Sequence, residues 1–91
     1  MYRSTRLALL SVSAYCAQNS TNPKVKDMAL AIERESDDWT IDKLGRWVGF
    51  MQGIMYMDGE LDIEVERNRT RPIFHQAYQE DGFPVPKSVS V

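Results

Sequence analysis

The chain has a single cysteine, Cys16, and a single histidine, His75, in 91 residues. One cysteine excludes an intrachain disulfide and any cysteine-built zinc site, and it fits a reducing compartment. A lone histidine without a second histidine or a cysteine nearby offers no conventional metal constellation. No phosphate-binding loop and no serine nucleophile elbow occur, so no catalytic residue, no metal and no cofactor is expected. No apolar run approaches the roughly 20 residues of a membrane span, and no internal repeat or low-complexity segment is present. Basic charge is not in excess either: the net charge is −2 and the pI about 5.3. The chain is therefore not a nucleic-acid-binding polycation. Its nine aromatic residues are dispersed rather than interleaved with basic ones as single-strand binders require.

What is present is an ordinary globular composition, 43% hydrophobic and 26% charged, of a size that builds one modest core. Charge is unevenly placed. Residues 1–26 carry Arg3, Arg6, Lys24 and Lys26 and no acid, whereas residues 27–43 carry six acids against Arg34 and Lys43. The simplest reading is intramolecular, a basic first helix lying near an acidic second one. Arg3 and Arg6 ahead of the apolar residues 7–17 imitate a secretory signal, but serines and a tyrosine dilute the run and no small-x-small cleavage site follows. The expected location is cytoplasmic.

Spacings of three and four predict a first helix over residues 4–18. Asn22-Pro23 is a start signal, because asparagine caps orphan amides and proline suits the first helical position. The second helix then runs to about Ser36. Thr40 caps a third helix over residues 41–57, with Trp39 and Leu44 in hydrophobic-staple positions, and Asp58-Gly59 ends it. A fourth starts near Asp62. Pro72 predicts a break or kink, followed by a short helix over residues 73–78 and an extended tail from Asp81. Leu61, Ile63 and Val65 alternate as a strand would, yet Glu64–Arg67 and Glu66–Arg69 are supportive helical pairs. The expected fold is all-α, one domain over residues 1–91, a small bundle of four or five helices.

The third helix carries the strongest signal. Apolar residues occupy nearly every side of it, which predicts burial on several sides and a central position. Met51, Met55 and Met57 read as core filler. Gly45, Gly49 and Gly53 recur every four residues and share one face. Each costs about 0.8–1 kcal/mol against alanine in a helix interior, so close approach of another backbone or of a ligand is expected to offset the loss. Gly45, Gly49, Gly53, Trp47 and Phe50 are accordingly the candidate helix-packing or oligomer interface, and a homo-oligomer is expected. Arg67 and Arg71 share a face of the fourth helix near its expected end, and with Arg46 they form a candidate anion site. The plainer alternative is a salt-bridged surface with Glu60, Glu64 and Glu66. Glu33, Glu35, Asp37 and Asp38 read as a solvated helix end.

The run Gly45-Arg46-Trp47-Val48-Gly49-Phe50-Met51-Gln52-Gly53, followed by acidic residues and an arginine-containing segment, resembles short accessory proteins encoded by bacteriophages. The resemblance covers residues 39–71 and brings no site assignment. It implies a non-enzymatic protein in the host cytoplasm that binds a host protein, a defence protein being one candidate, and inhibits or redirects it. Two other readings stay open from the residues: an oligomeric binder that sequesters a nucleotide or similar anionic small molecule, and a phage structural or assembly subunit. Neither membrane nor nucleic acid is an expected partner.

Overall fold

A computed structural model describes residues 2–83, and these form four helices: α1 (Arg3–Asn19), α2 (Pro23–Glu35), α3 (Ile41–Met57) and α4 (Ile63–Asp81). A 3₁₀ turn, Ser36–Asp38, links α2 to α3. Among the described residues there is no strand, so the fold is all-α. None of the helices is long and apolar enough to cross a membrane.

Local chemistry sets the helix starts. The Asn22 side chain accepts from the Lys24 amide at 2.8 Å, with Pro23 in the first helical turn. Thr40 Oγ1 accepts from the Lys43 amide at 3.1 Å, and the Asp62 carboxylate from the Val65 amide at 3.0 Å. Each satisfies one orphan amide of a first turn. Gly59, at φ 74°, and Gly82, at φ 79°, take the left-handed conformation that ends α3 and α4 cheaply.

Pro72 does not break the chain: α4 runs through it to Asp81. Proline removes the hydrogen bond to the carbonyl of Asn68, but Pro72 and Asn68 are both exposed, so water can meet that carbonyl. Two residues before it and five after it, the inner face of α4 is anchored by buried Thr70 and Ala77. The last short helix expected over residues 73–78 is therefore the end of α4, and Asp81 is its final residue rather than the start of a tail. The rest of the expected tail, from Pro84, lies outside the described residues.

The central helix is α1, not α3. It packs against each of the other three. Its buried residues are Thr5, Ala8, Leu9, Val12, Ser13 and Cys16, small enough to let three neighbours approach. Val12, Cys16, Val25, Ile32, Leu44, Val48, Met51 and Met55 make the core, none more than 2% exposed. The serine hydroxyls on α1 are absorbed locally, Ser11 donating to the Ala8 carbonyl and Ser13 lying 3.8 Å from Met51 Sδ. Of the basic residues in 1–26, Arg6 reaches the acidic segment, but it meets carbonyls there. Arg6 donates to the Ser36 and Trp39 carbonyls at 2.8 and 2.6 Å. Lys26 donates to the Ala17 carbonyl at 3.0 Å, where cations suit the negative end of α1.

Candidate functional site: the outer face of α3

The inner face of α3 presents Leu44, Val48, Met51 and Met55 to the core. On the opposite face, one half-turn away, nothing among the described residues covers the glycine stripe. A methyl group built on Gly45, Gly49 or Gly53 would meet nothing within 4 Å. Among the described residues the close approach of another helix expected at this stripe is thus absent, and the expectation that α3 is buried on several sides is corrected with it. Beside the glycines, Phe50 is 69% exposed, Met57 80% and Tyr56 50%.

The glycines shape this surface. Arg46, Gly49, Phe50, Gly53, Ile54 and Met57 line one shallow groove. A second, reaching α4, includes Gly53, Tyr56, Leu61, Ile63 and Arg67 in its lining, so the two grooves meet at Gly53. Residues 47–57 carry no charged side chain. The remaining interface candidates sit elsewhere. Trp47 lies on the flank of the core, 4.6 Å from the Trp39 ring, and Lys43 sits over that ring. Gly45 lines a separate hollow with Thr5, Leu9, Ile41, Phe74, Tyr78 and Phe83.

The candidate anion-site arginines are placed in different surroundings. Arg46 pairs with Asp42 at 3.3 Å and Arg67 with Glu64 at 3.5 Å. Each lines a different one of the two grooves, and Arg71 is half-buried and lines neither. The tightest ion pair involves Arg69, which the spacing set apart from the other two. Its Nε and Nη2 both donate to Glu66 at 2.9 Å, and its guanidinium lies 3.4 Å from the Tyr15 ring centre. Glu66, only 6% exposed, also accepts from Gln52 Nε2 at 2.9 Å, tying α4 to α3. Burial alone would raise the Glu66 pKa. Hydrogen bonds from Arg69 and Gln52, with the Arg69 charge, outweigh it and hold the carboxyl below its ordinary range.

Two further carboxylates join distant segments. Glu60 accepts from Ser20 Oγ at 2.7 Å and from the Thr21 amide and hydroxyl at 2.7 and 2.9 Å, pinning the α1–α2 turn to the α3–α4 turn. The hydrogen bonds from Ser20 and Thr21 lower its pKa. Asp81 caps α1 from the far end of the chain, accepting from the Ser4 and Thr5 amides at 3.1 and 2.6 Å. Desolvation opposes its ionisation, but the hydrogen bonds from Thr5 and Ser4 prevail and its pKa is lowered. Phe83 stacks on Tyr2 beside it, with ring centres 4.4 Å apart. Periodicity gives no signal for Asp81, because its partners lie at the opposite end of the sequence.

Cys16 is fully buried, and burial foremost, with the Glu66 charge second and Arg69 opposing, pushes its thiol up to about 11. At neutral pH it is a protonated core residue rather than a nucleophile. Among the described residues no group of three or more histidine, cysteine or carboxylate side chains is arranged to hold a metal. Glu33, Glu35, Asp37 and Asp38 are all exposed. Comparison with family models, curated proteins and solved structures gave no match.

Proposed function

We propose that this chain is a non-enzymatic protein-binding module, an accessory protein of the bacteriophage kind that binds a host protein through the outer face of α3. The observation that carries the reading is the uncharged strip of residues 47–57, on which Phe50 and Met57 stand 69% and 80% exposed beside bare glycine backbone. Apolar patches of this kind, rimmed by polar groups, mark protein interaction sites, and aromatic residues and methionine are enriched at their centres. The rim consists of ion pairs closed within the chain, Arg46–Asp42 and Arg67–Glu64. That arrangement favours an apolar partner surface over a phosphate or nucleotide, since a bound anion would have to displace carboxylates already in place.

The test places a photo-cross-linking amino acid at position 50, and separately at exposed Arg34 on α2, in bacterial cells. One discrete host protein is expected to be captured from position 50 and not from position 34. The purified host protein should then bind the chain in isolation, and Phe50→Arg should weaken that binding about 30-fold or more, as loss of a central anchor does. Binding that survives Phe50→Arg unchanged, or equal capture from both positions, sinks the reading.

A further inference from the structure

We propose that the groove between α1 and α2 seats α2 of a second copy of this chain, antiparallel across a two-fold axis beside Leu30. The contact goes beyond the reading of α3. This groove shares no lining residue with the two on the α3 face, so a dimer built on it leaves both α3 faces open.

The groove has a volume of about 620 Å³. Its middle is apolar and small-sided, with Leu10, Ala14 and Ala17 from α1 and Ala29 and Leu30 from α2. Ala14 is exposed and Leu30 is 47% exposed. Alanines on both walls let a further helix come close, because the side chains at a crossing set the roughly 8–10 Å between helix axes.

Charge gives the groove a direction. Lys26 stands at one end, and Glu33 and Asp37 stand at the other. The rest of α2 follows the same order. Lys24 lies in its first turn, and Glu35 and Asp38 lie at its C-terminal end and in the turn beyond. A helix dipole favours the reverse, anions at the start and cations at the finish. In the first and last turns only Arg34 follows that rule. The chain does little to correct the order. Lys26 donates to the Ala17 carbonyl, and Arg6, near the acidic end, is taken up by the Ser36 and Trp39 carbonyls. Among the described residues no ion pair involves Glu33 or Asp37.

That order selects the occupant. Turned end for end, α2 presents Lys26 to Glu33 and Asp37 of the other copy and receives the same pairing in return. One helix carries both halves of the match, which is the self-complementarity an isologous contact needs. The antiparallel arrangement also sets each helix end against the opposite end of the other's dipole. A partner surface of one sign would be attracted at one end of the groove and repelled at the other. The division of charge between residues 1–26 and 27–43 is thereby used between copies as well as within one. The dimer carries two α3 faces, which strengthens binding to any partner that offers its own site twice.

The experiment is sedimentation of the purified full chain alone, from low micromolar to about 1 mM. Expected is a concentration-dependent shift from 10.5 kDa to twice that mass, weakened by added salt. Lys26→Glu and Glu33→Lys should each raise the dimer dissociation constant about 10-fold or more while helical circular dichroism is unchanged, because each reversal sets like charges together twice across the axis. An equimolar mixture of the two variants should recover most of that loss as a heterodimer, seen by native mass measurement with one variant isotope-labelled. Phe50→Arg should leave association intact. A chain that stays monomeric at 1 mM overturns the proposal. So does a dimer indifferent to both reversals, or a mixture that associates no better than either variant alone. A dimer lost through Phe50→Arg overturns it by placing the contact on α3.

Discussion

Helices α1 and α3 have the same length, 17 residues, and opposite fates. Helix α1, with four serine or threonine residues and three alanines, sits at the centre and touches every other helix. Helix α3, apolar almost all round, lies at the edge with half its circumference in water. Centrality in a small bundle depends on side-chain size at the crossing points, because three neighbours can close only on a helix whose inward groups are short. Apolar character measures something different, the area that must be covered. On α1 that area is covered by the chain itself. On α3 the second half stays open among the described residues.

The largest effect expected from this contrast comes from placing the same charge on each helix. Val12→Asp buries an unpaired carboxylate at a position that is fully buried among three neighbours. Breaking or introducing unpaired buried charge costs several kcal/mol, a large share of the roughly 5–15 kcal/mol that holds a domain. The expected outcome is loss of the cooperative thermal transition. Phe50→Asp, on the exposed face, should keep the transition within about 0.5 kcal/mol of the parent when measured in dilute solution. Comparable damage from both would mean that α3 is enclosed on both sides after all.

The second comparison concerns pH. Glu60, Glu66 and Asp81 each tie two segments together, and each has its folded-state pKa below the ordinary carboxylate value. A depressed pKa means the unfolded chain binds more protons in acid. The stabilisation is complete above the unfolded value, about 4.3 for glutamate, and is lost as pH falls through the lower folded value. Urea midpoints should therefore be level near neutrality and fall steeply in acid. Glu66→Gln should lower the midpoint at pH 7 and flatten the acid limb, because the group that titrates is gone. An acid limb unchanged by Glu66→Gln would assign the acid sensitivity to Glu60 and Asp81.

How much of this was legible follows from how local each cause is. The starts at Asn22, Thr40 and Asp62 and the stop at Gly59 were readable because each cap lies within three residues of the amide or turn it serves. Continuity through Pro72 was not, since it depends on which side of α4 faces water. The expected arginine site placed Arg67 and Arg71 together by helical angle. The Glu64–Arg67 and Glu66–Arg69 pairs were legible from their spacing of three, but the placement of Arg69 over Tyr15, made by folding α4 onto α1, was not. The Asp81 cap spans 77 residues to Ser4 and has no local trace at all. The glycine stripe was visible from spacing alone, but spacing does not say whether the covering surface comes from the same chain.

The smallest effect is also the most discriminating, because it carries two signs. Gly49→Ala adds one methyl group on a helix where nothing among the described residues lies within 4 Å of it. In a monomer the substitution only improves helix propensity, so it should stabilise by about 0.8–1 kcal/mol. In a homo-oligomer joined through this face the same methyl meets a second copy, and added atoms in a filled contact cost roughly 1–3 kcal/mol. Thermal unfolding of parent and variant over a range of concentrations separates the two contributions. At micromolar dilution the variant should melt higher. In such an oligomer the parent gains from association as concentration rises and the variant gains less, so the difference should shrink and then reverse. A gain that is constant at every concentration would leave the open face intact and remove the second copy from it. A loss that is already present at the greatest dilution, and does not grow with concentration, would mean that a backbone within the chain lies against Gly49, which would return α3 to the centre of the bundle.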